Sequence, residues 1–248
     1  MTGPLRICFF GDSFVNGTGD DDGLGWVGRL VSRARRAGRD VTGYNLGVRR
    51  DTSLDIAARW EEEARRRLPE GCDARLAFSF GANDCAEDEA GCARVALEAT
   101  RAAAATILRG AALRAPVLMV GPFLPGEARV EARIDRLCDE MRGLCAELRI
   151  PYVETRRFIA GCAVFRREAE VGDGAHPNRG GYEALADFIG AAPAWEAWLE
   201  RFPIERNRSI DQNSLQRKKV RALSDPPGSD SALDGVSLMS ARDAPADR

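Results

Sequence analysis

The chain has 248 residues, 44% of them hydrophobic and 30% charged, with a formal net charge of -2. That length suits one well-buried domain plus an appendage, and the near-neutral balance supplies no general attraction to nucleic acid or another polyanion. No apolar stretch approaches the roughly 20 residues of a membrane-spanning helix, so no integral membrane segment is expected.

The amino terminus lacks the basic, apolar and small-residue regions of a secretory signal in that order, so the mature chain is expected to begin at Met1. Seven cysteines (Cys8, Cys72, Cys85, Cys92, Cys138, Cys145, Cys162) are an odd number without a Cys-x-x-Cys pair, which fits reduced thiols and a cytoplasmic location. Cys138 and Cys145 lie seven apart on one helix face, where core packing accounts for them. Lysine occurs only at Lys218 and Lys219. With alanine abundant as well, the preference for arginine reads as a composition bias before a functional choice.

Along the chain, short apolar runs alternate with longer segments of helical period, the pattern of a parallel sheet covered by helices. Strands are expected at Leu5–Phe10, Val41–Leu46, Ala74–Phe80, Pro116–Gly121 and Pro151–Glu154. Helices are expected at Trp26–Ala37, Leu54–Leu68, Ala90–Arg109, Ala128–Leu148 and Arg179–Trp198. The row Ile134, Leu137, Cys138, Met141, Leu144, Cys145, Leu148 repeats at three-and-four spacing and reads as a core stripe. The charges around Leu54–Leu68 read as a solvated face. From about Pro203 the chain turns polar and rich in Ser, Asp, Pro and Gly. Residues 1–202 are therefore expected to form the domain, and 203–248 a disordered tail. The cluster Arg217, Lys218, Lys219, Arg221 is too small, and too closely followed by aspartates, to mark a nucleic-acid site.

In a sheet of this kind, ligands bind beyond the carboxyl ends of the strands. After the first strand stands "GDSF", with Asp12 and Ser13; after the second "NLG", with Asn45 and Gly47; after the third "GAND", with Asn83 and Asp84. Before the last helix stands "DGAHPN", with Asp173 and His176, the only histidine. Each set alone suits a turn or a helix cap. All four on one sheet edge suit chemistry. A serine hydroxyl needs a base, His176 is the one available, and a carboxylate such as Asp173 can hold the imidazole in the right tautomer. Charge developing on a carbonyl oxygen needs donors, which the Ser13 N–H, the Gly47 N–H and the Asn83 amide could supply. The loop Val15–Gly25, with Asp20, Asp21 and Asp22, is expected to overhang this edge as a mobile, negatively charged rim.

In this order the four blocks resemble those of the GDSL-like, or SGNH, hydrolases, matching Ser13, Gly47, Asn83 and His176, with Phe14 where the family has leucine. The resemblance spans roughly residues 5 to 200. It implies a flavodoxin-like three-layer α/β/α sandwich with a five-stranded parallel sheet, and an esterase or lipase acting on carboxylic esters or thioesters without a cofactor or metal. It further implies Ser13 as nucleophile, His176 as base and Asp173 as its orienting partner, with Ser13, Gly47 and Asn83 as oxyanion hole. Asp12 and Asp84 also match family positions and read as supporting loop bonds and helix caps.

Two alternatives stand beside this. One is a metal-dependent phosphohydrolase using Asp12, Asp84 and Asp173 as oxygen ligands. The other is a catalytically silent binding module on the same fold. The expected partner is a small-molecule ester or thioester, and a homo-oligomer is left open.

Overall fold

Five parallel strands, β1 (Leu5–Gly11), β2 (Val41–Gly47), β3 (Asp73–Ser79), β4 (Val117–Val120) and β5 (Tyr152–Val153), form one sheet in the order β2-β1-β3-β4-β5. The computed structural model describes residues 4–123 and 128–200, which fall within one compact unit, Met1–Ile204. The tail expected over 203–248 lies outside the described residues.

Strands β1, β3 and β4 carry apolar runs because both faces of the sheet are covered there, whereas β2, at the edge, is more polar and partly exposed. Side chains alternate between the two faces. From β1, Cys8 and Phe10 enter one core cluster and Ile7 and Phe9 the other; from β3, Leu76 and Phe78 separate from Ala77; from β4, Val117 and Met119 separate from Leu118 and Val120. The first cluster lies under α3 (Ser53–Arg67), α5 (Leu97–Ala112) and α6 (Ala128–Leu148). The second lies under α2 (Gly25–Arg36), α8 (Ala163–Val171), α9 (Arg179–Gly190) and α10 (Pro193–Leu199). This is the three-layer α/β/α sandwich with a five-stranded parallel sheet that the blocks implied. Three shorter helices, α1 (Ser13–Asn16), α4 (Ala82–Cys85) and α7 (Arg156–Gly161), complete the described elements.

The long amphipathic helices fall where their apolar stripes put them. On α6, Ile134, Leu137, Cys138, Met141, Leu144 and Cys145 are all buried. None of the seven cysteines is in a disulfide. Helix α3 starts at a capping box in which the Thr52 side chain accepts from Asp55 N–H and the Asp55 carboxylate accepts from Thr52 N–H.

Two helix boundaries differ from those expected. The segment 90–96 is not helical, because Asp88 Oδ1 takes the N–H groups of Ala90 and Cys92, while Arg94 and Val95 donate to the carbonyls of Ala86 and Asp84. The backbone donors a helix would use are therefore committed to a local loop. The stretch 179–198 is two helices, since Pro193 at the start of α10 lacks the N–H that continuation requires. Among the described residues, no helix is long and apolar enough to cross a membrane.

Because the core is contiguous under a central strand, Leu76→Ala should lower the free energy of unfolding by about 2–5 kcal/mol, and Leu113→Ala by no more than about 0.5. Leu76 has no exposed surface, whereas Leu113 is 87% exposed. Urea unfolding at constant m-value measures both.

Candidate active site

Gly11, Gly47 and Ser79 stand level at the carboxyl ends of β1, β2 and β3, because the parallel register pairs Gly11 with each of the other two. Strand order reverses between β1 and β3, so the loops leaving them diverge and open a crevice. Ser13 enters that crevice on a sharp turn. Asp12 caps α1 by accepting from Phe14 N–H at 3.0 Å, and Gly17 ends the helix at φ 88° with its N–H on Ser13 O. One helical turn thus separates the end of β1 from a left-handed glycine.

Across the crevice, His176 Nε2 lies 2.7 Å from Ser13 Oγ, and its Nδ1 lies 2.7 Å from Asp173 Oδ2. Asp173 Oδ1 also accepts from the backbone N–H groups of Ala175 and His176, at 3.0 and 2.8 Å. Burial acts to raise the Asp173 pKa, but the His176 backbone N–H, the imidazole and the Ala175 N–H outweigh it and hold the carboxylate down at about 2. It is ionised across the neutral range. The imidazole packs against Phe14, whose ring lies 4.7 Å from it and 5.0 Å from Phe123.

Gly47 and Asn83 are at the same edge, each with a local partner. The Gly47 N–H donates to Asn45 Oδ1 at 3.0 Å, and Asn45 Nδ2 in turn donates to Val15 O at 2.7 Å, tying β2 to α1. A Cβ on Gly47 would strike the Asn16 amide nitrogen and come within 2.7 Å of Asp12 O, so α1 can seat here only on a glycine. Asn83 Nδ2 donates to Asp51 O at 3.0 Å, which leaves its second hydrogen for another acceptor.

Asp12 and Asp84 make loop and cap bonds. Asp84 accepts from Ser53 N–H and Oγ–H and from Thr100 Oγ1–H, linking α4 to α3 and α5. Asp12, Asp84 and Asp173 each face a different set of donors, and among the described residues no group of three His, Cys, Asp or Glu side chains could hold a metal ion. The three carboxylates do not assemble into the ligand set that the phosphohydrolase alternative requires.

The Val15–Gly25 loop is fastened at several points. Asp20 is buried and accepts from the N–H groups of Leu24 and Gly25 and from the Arg29 guanidinium. Asp21 N–H donates to Asn178 Oδ1 at 3.0 Å, and Asn178 Nδ2 returns a bond to Asp21 Oδ2 at 2.7 Å. Asp22 pairs with Arg29 and Arg179. Arg29 and Arg179 thus offset the charges of Asp20 and Asp22, and Asp21 is held by a neutral amide.

Glu168, Asn178, Arg29 and Arg59 did not stand out in the chain. Asn178 was the most accessible of them, since an asparagine before "RGGYEAL" is an N-cap signal, and here it caps α9. Glu168 takes the N–H groups of Asn178, Gly180 and Gly181 from a helix the periodicity did not reveal.

The GDSL-like Lipase/Acylhydrolase family matches the chain over residues 9–184. No curated protein sequence matches it. Among solved structures, Axe2, an acetylxylan esterase from Geobacillus stearothermophilus, superposes with a TM-score of 0.64 at 19% identity, covering 76% of this chain and 94% of that one. The lipase/acylhydrolase from Enterococcus faecalis gives 0.63 at 23% identity, over 81% and 98%. LAE5, an α/β hydrolase enzyme from the metagenome of Lake Arreo, Spain, gives 0.61 at 20%, over 80% and 98%. At these identities the likeness establishes the fold.

Asp12 generates a prediction about pH. Complete burial pushes its carboxyl up to about 7, with Asp84 and Asp51 adding to the rise and the Phe14 N–H opposing it. A raised folded-state pKa contributes stability that is present below about pH 4 and lost as pH climbs through 7. Asp173 acts in the opposite sense, its contribution falling away only between about pH 4 and 2. Asp12→Asn keeps the acceptor for Phe14 N–H without the ionisation, so its Tm relative to wild type should increase from about pH 4 to about pH 7 and level off above that in thermal melts.

Proposed function

The chain belongs to the GDSL-like lipase/acylhydrolase family and is a carboxylic ester hydrolase, and we propose that it cleaves esters or thioesters through an acyl-enzyme on Ser13. The observation that carries the reading is the unbroken relay from Ser13 Oγ through His176 to Asp173, with both links at 2.7 Å. With Asp173 ionised, its Oδ2 accepts from Nδ1–H, which leaves the Nε2 lone pair directed at the serine hydroxyl.

As Ser13 Oγ bonds to the acyl carbon, His176 Nε2 takes the hydroxyl proton and the carbonyl π pair moves onto oxygen. The Ser13 N–H lies in the first turn of α1, where no helical carbonyl is available to it. The second hydrogen of Asn83 Nδ2 is the next donor. The Gly47 N–H becomes the third by exchanging the neutral Asn45 amide oxygen for the charged one, which is the stronger acceptor. Collapse of the tetrahedral species breaks the bond to the leaving alcohol or thiol, which takes its proton from His176. Water then enters, gives a proton to His176 and attacks the acyl carbon, and the acid departs as Ser13 recovers its hydrogen.

No metal enters any step. Asp20 and Asp22 of the acidic loop are paired with Arg29 and Arg179, so acyl length and alcohol shape, rather than charge repulsion, set preference in this reading. Acetyl esters are the first class to try, since Axe2 is an acetylxylan esterase.

Ser13→Ala or His176→Ala should lower kcat by about 10^4-fold or more, and Asn83→Ala by about 10^2 to 10^3. A series of p-nitrophenyl esters from acetate upward gives the rates, a fluorophosphonate that modifies Ser13 counts active sites, and chelator treatment should leave the rate unchanged. A folded wild type inert to both ester and phosphonate overturns the reading.

A further inference from the structure

Three backbone segments have to be held in mutual register for the proposed oxyanion donors to converge, and one side chain on α3 bonds directly to two of them and reaches the third through Asp51. Arg59 Nη2 donates to Gly11 O at 3.1 Å and to Leu46 O at 3.0 Å. Its Nε donates to Asp51 Oδ2 at 2.7 Å, and its Nη1 to Glu63 Oε1 at 2.9 Å. Its side chain is only 20% exposed, and the guanidinium lies 5.9 Å from the centre of the Phe10 ring.

Each partner leads to a donor. Gly11 O closes β1 two residues before Ser13. Leu46 O is the other end of the peptide unit whose N–H belongs to Gly47, so a cation on that oxygen both fixes the plane of the unit and draws electron density from the N–H. The Asp51 carboxylate is tied to Arg59, and the Asp51 carbonyl accepts from Asn83 Nδ2 at 3.0 Å. The remaining bond, to Glu63, stays within α3 and anchors the guanidinium to its own helix.

We infer that Arg59 is the positioning residue of the oxyanion site, setting the β1, β2 and β3 donors against one another through Gly11 O, Leu46 O and Asp51. The inference rests on the acyl-enzyme reading above. Arg59 touches neither substrate nor the triad. Its effect therefore falls on the tetrahedral species and spares ground-state binding. Lysine retains the charge but not the planar fork that reaches two carbonyls and a carboxylate at once.

The test uses the full chain with Arg59→Gln, Arg59→Lys and Asp51→Asn, each rate normalised to sites titrated by a fluorophosphonate so that misfolded protein does not count. For p-nitrophenyl acetate, Arg59→Gln should lose about 10- to 100-fold in kcat with KM within about twofold. Arg59→Lys should lose less. Asp51→Asn, which keeps the carbonyl that holds Asn83, should lose roughly 3- to 10-fold. Affinity for a boronic acid that forms a tetrahedral adduct on Ser13 should fall by the same factor as kcat/KM, and the acid limb of the pH profile should stay in place because the triad is untouched.

A role confined to stability would lower Tm and the titratable fraction while leaving kcat per site and boronate affinity unchanged. That result overturns the proposal alone. If Arg59→Gln yields no titratable protein, Arg59→Lys and Asp51→Asn decide by the same criteria. A wild type that neither turns over nor takes the phosphonate removes the acyl-enzyme reading, and this inference with it.

Discussion

A hydrogen bond 2.7 Å long joins Ser13 to His176 across 163 positions of chain, and the site depends on keeping that distance. Neither the bond nor the triad can maintain it alone, because a single hydrogen bond contributes only about 1 kcal/mol net. The structure surrounds it with further links between the same two segments. Asp21 and Asn178 exchange two hydrogen bonds, Tyr182 Oη donates to Thr18 O at 2.8 Å, and Arg179 pairs with Asp22. At Gly19 a Cβ would come within 2.8 Å of Pro177 O and 3.1 Å of His176 Cβ. The loop after Ser13 and the start of α9 therefore lie in direct contact, and the imidazole is placed by that contact.

This arrangement also accounts for the acidic residues near Ser13. A carboxylate beside a developing oxyanion opposes it unless its charge is committed elsewhere. Asp20 is held by Arg29, Asp22 by Arg29 and Arg179, and Asp84 by two hydroxyls and a backbone N–H. Asp12 is the exception, with a single amide donor from the chain after it and complete burial. Burial, with Asp84 and Asp51 adding to it, pushes its carboxyl up, the direction that favours the neutral acid.

Much of this was legible in the chain, and what was not has identifiable causes. The sheet and its principal helices could be read because a doubly covered parallel strand must be apolar throughout and a covering helix must carry a stripe. The candidate site stood out because Ser13, Gly47, Asn83 and His176 follow strand ends or precede a helix, and the fold brings them to one edge of the sheet. The one-turn helices α1 and α4 are too short to show a period, and α7 and α8 lie in a stretch whose apolar residues are spaced irregularly. The apparent helix over 90–96 arose from small residues whose donors Asp88 captures. The loop Val15–Gly25 reads as mobile and acidic because its partners lie outside it, Arg29 on α2 and, 157 positions away, Asn178 and Arg179 on or beside α9, which no local pattern discloses.

The arginines carry that lesson furthest. From composition, a chain whose lysines are confined to Lys218 and Lys219 reads as biased rather than designed. In the fold, two of these arginines occupy positions that only a guanidinium fits. Arg29 is 4% exposed and bonds Asp20, Asp22, Glu183 and Gly25 O, joining α2, α9 and the loop beside Ser13. Arg59 joins β1, β2 and the Asp51 turn in the same manner. An ammonium would have three donors on one atom, whereas the planar fork spreads five over an area large enough to bridge separate backbone segments. The loops at the carboxyl edge of a parallel sheet have no ladder to hold them together beyond the last strand residue. Cross-links of this kind take the place of that ladder, and they lie where the site requires its least movement.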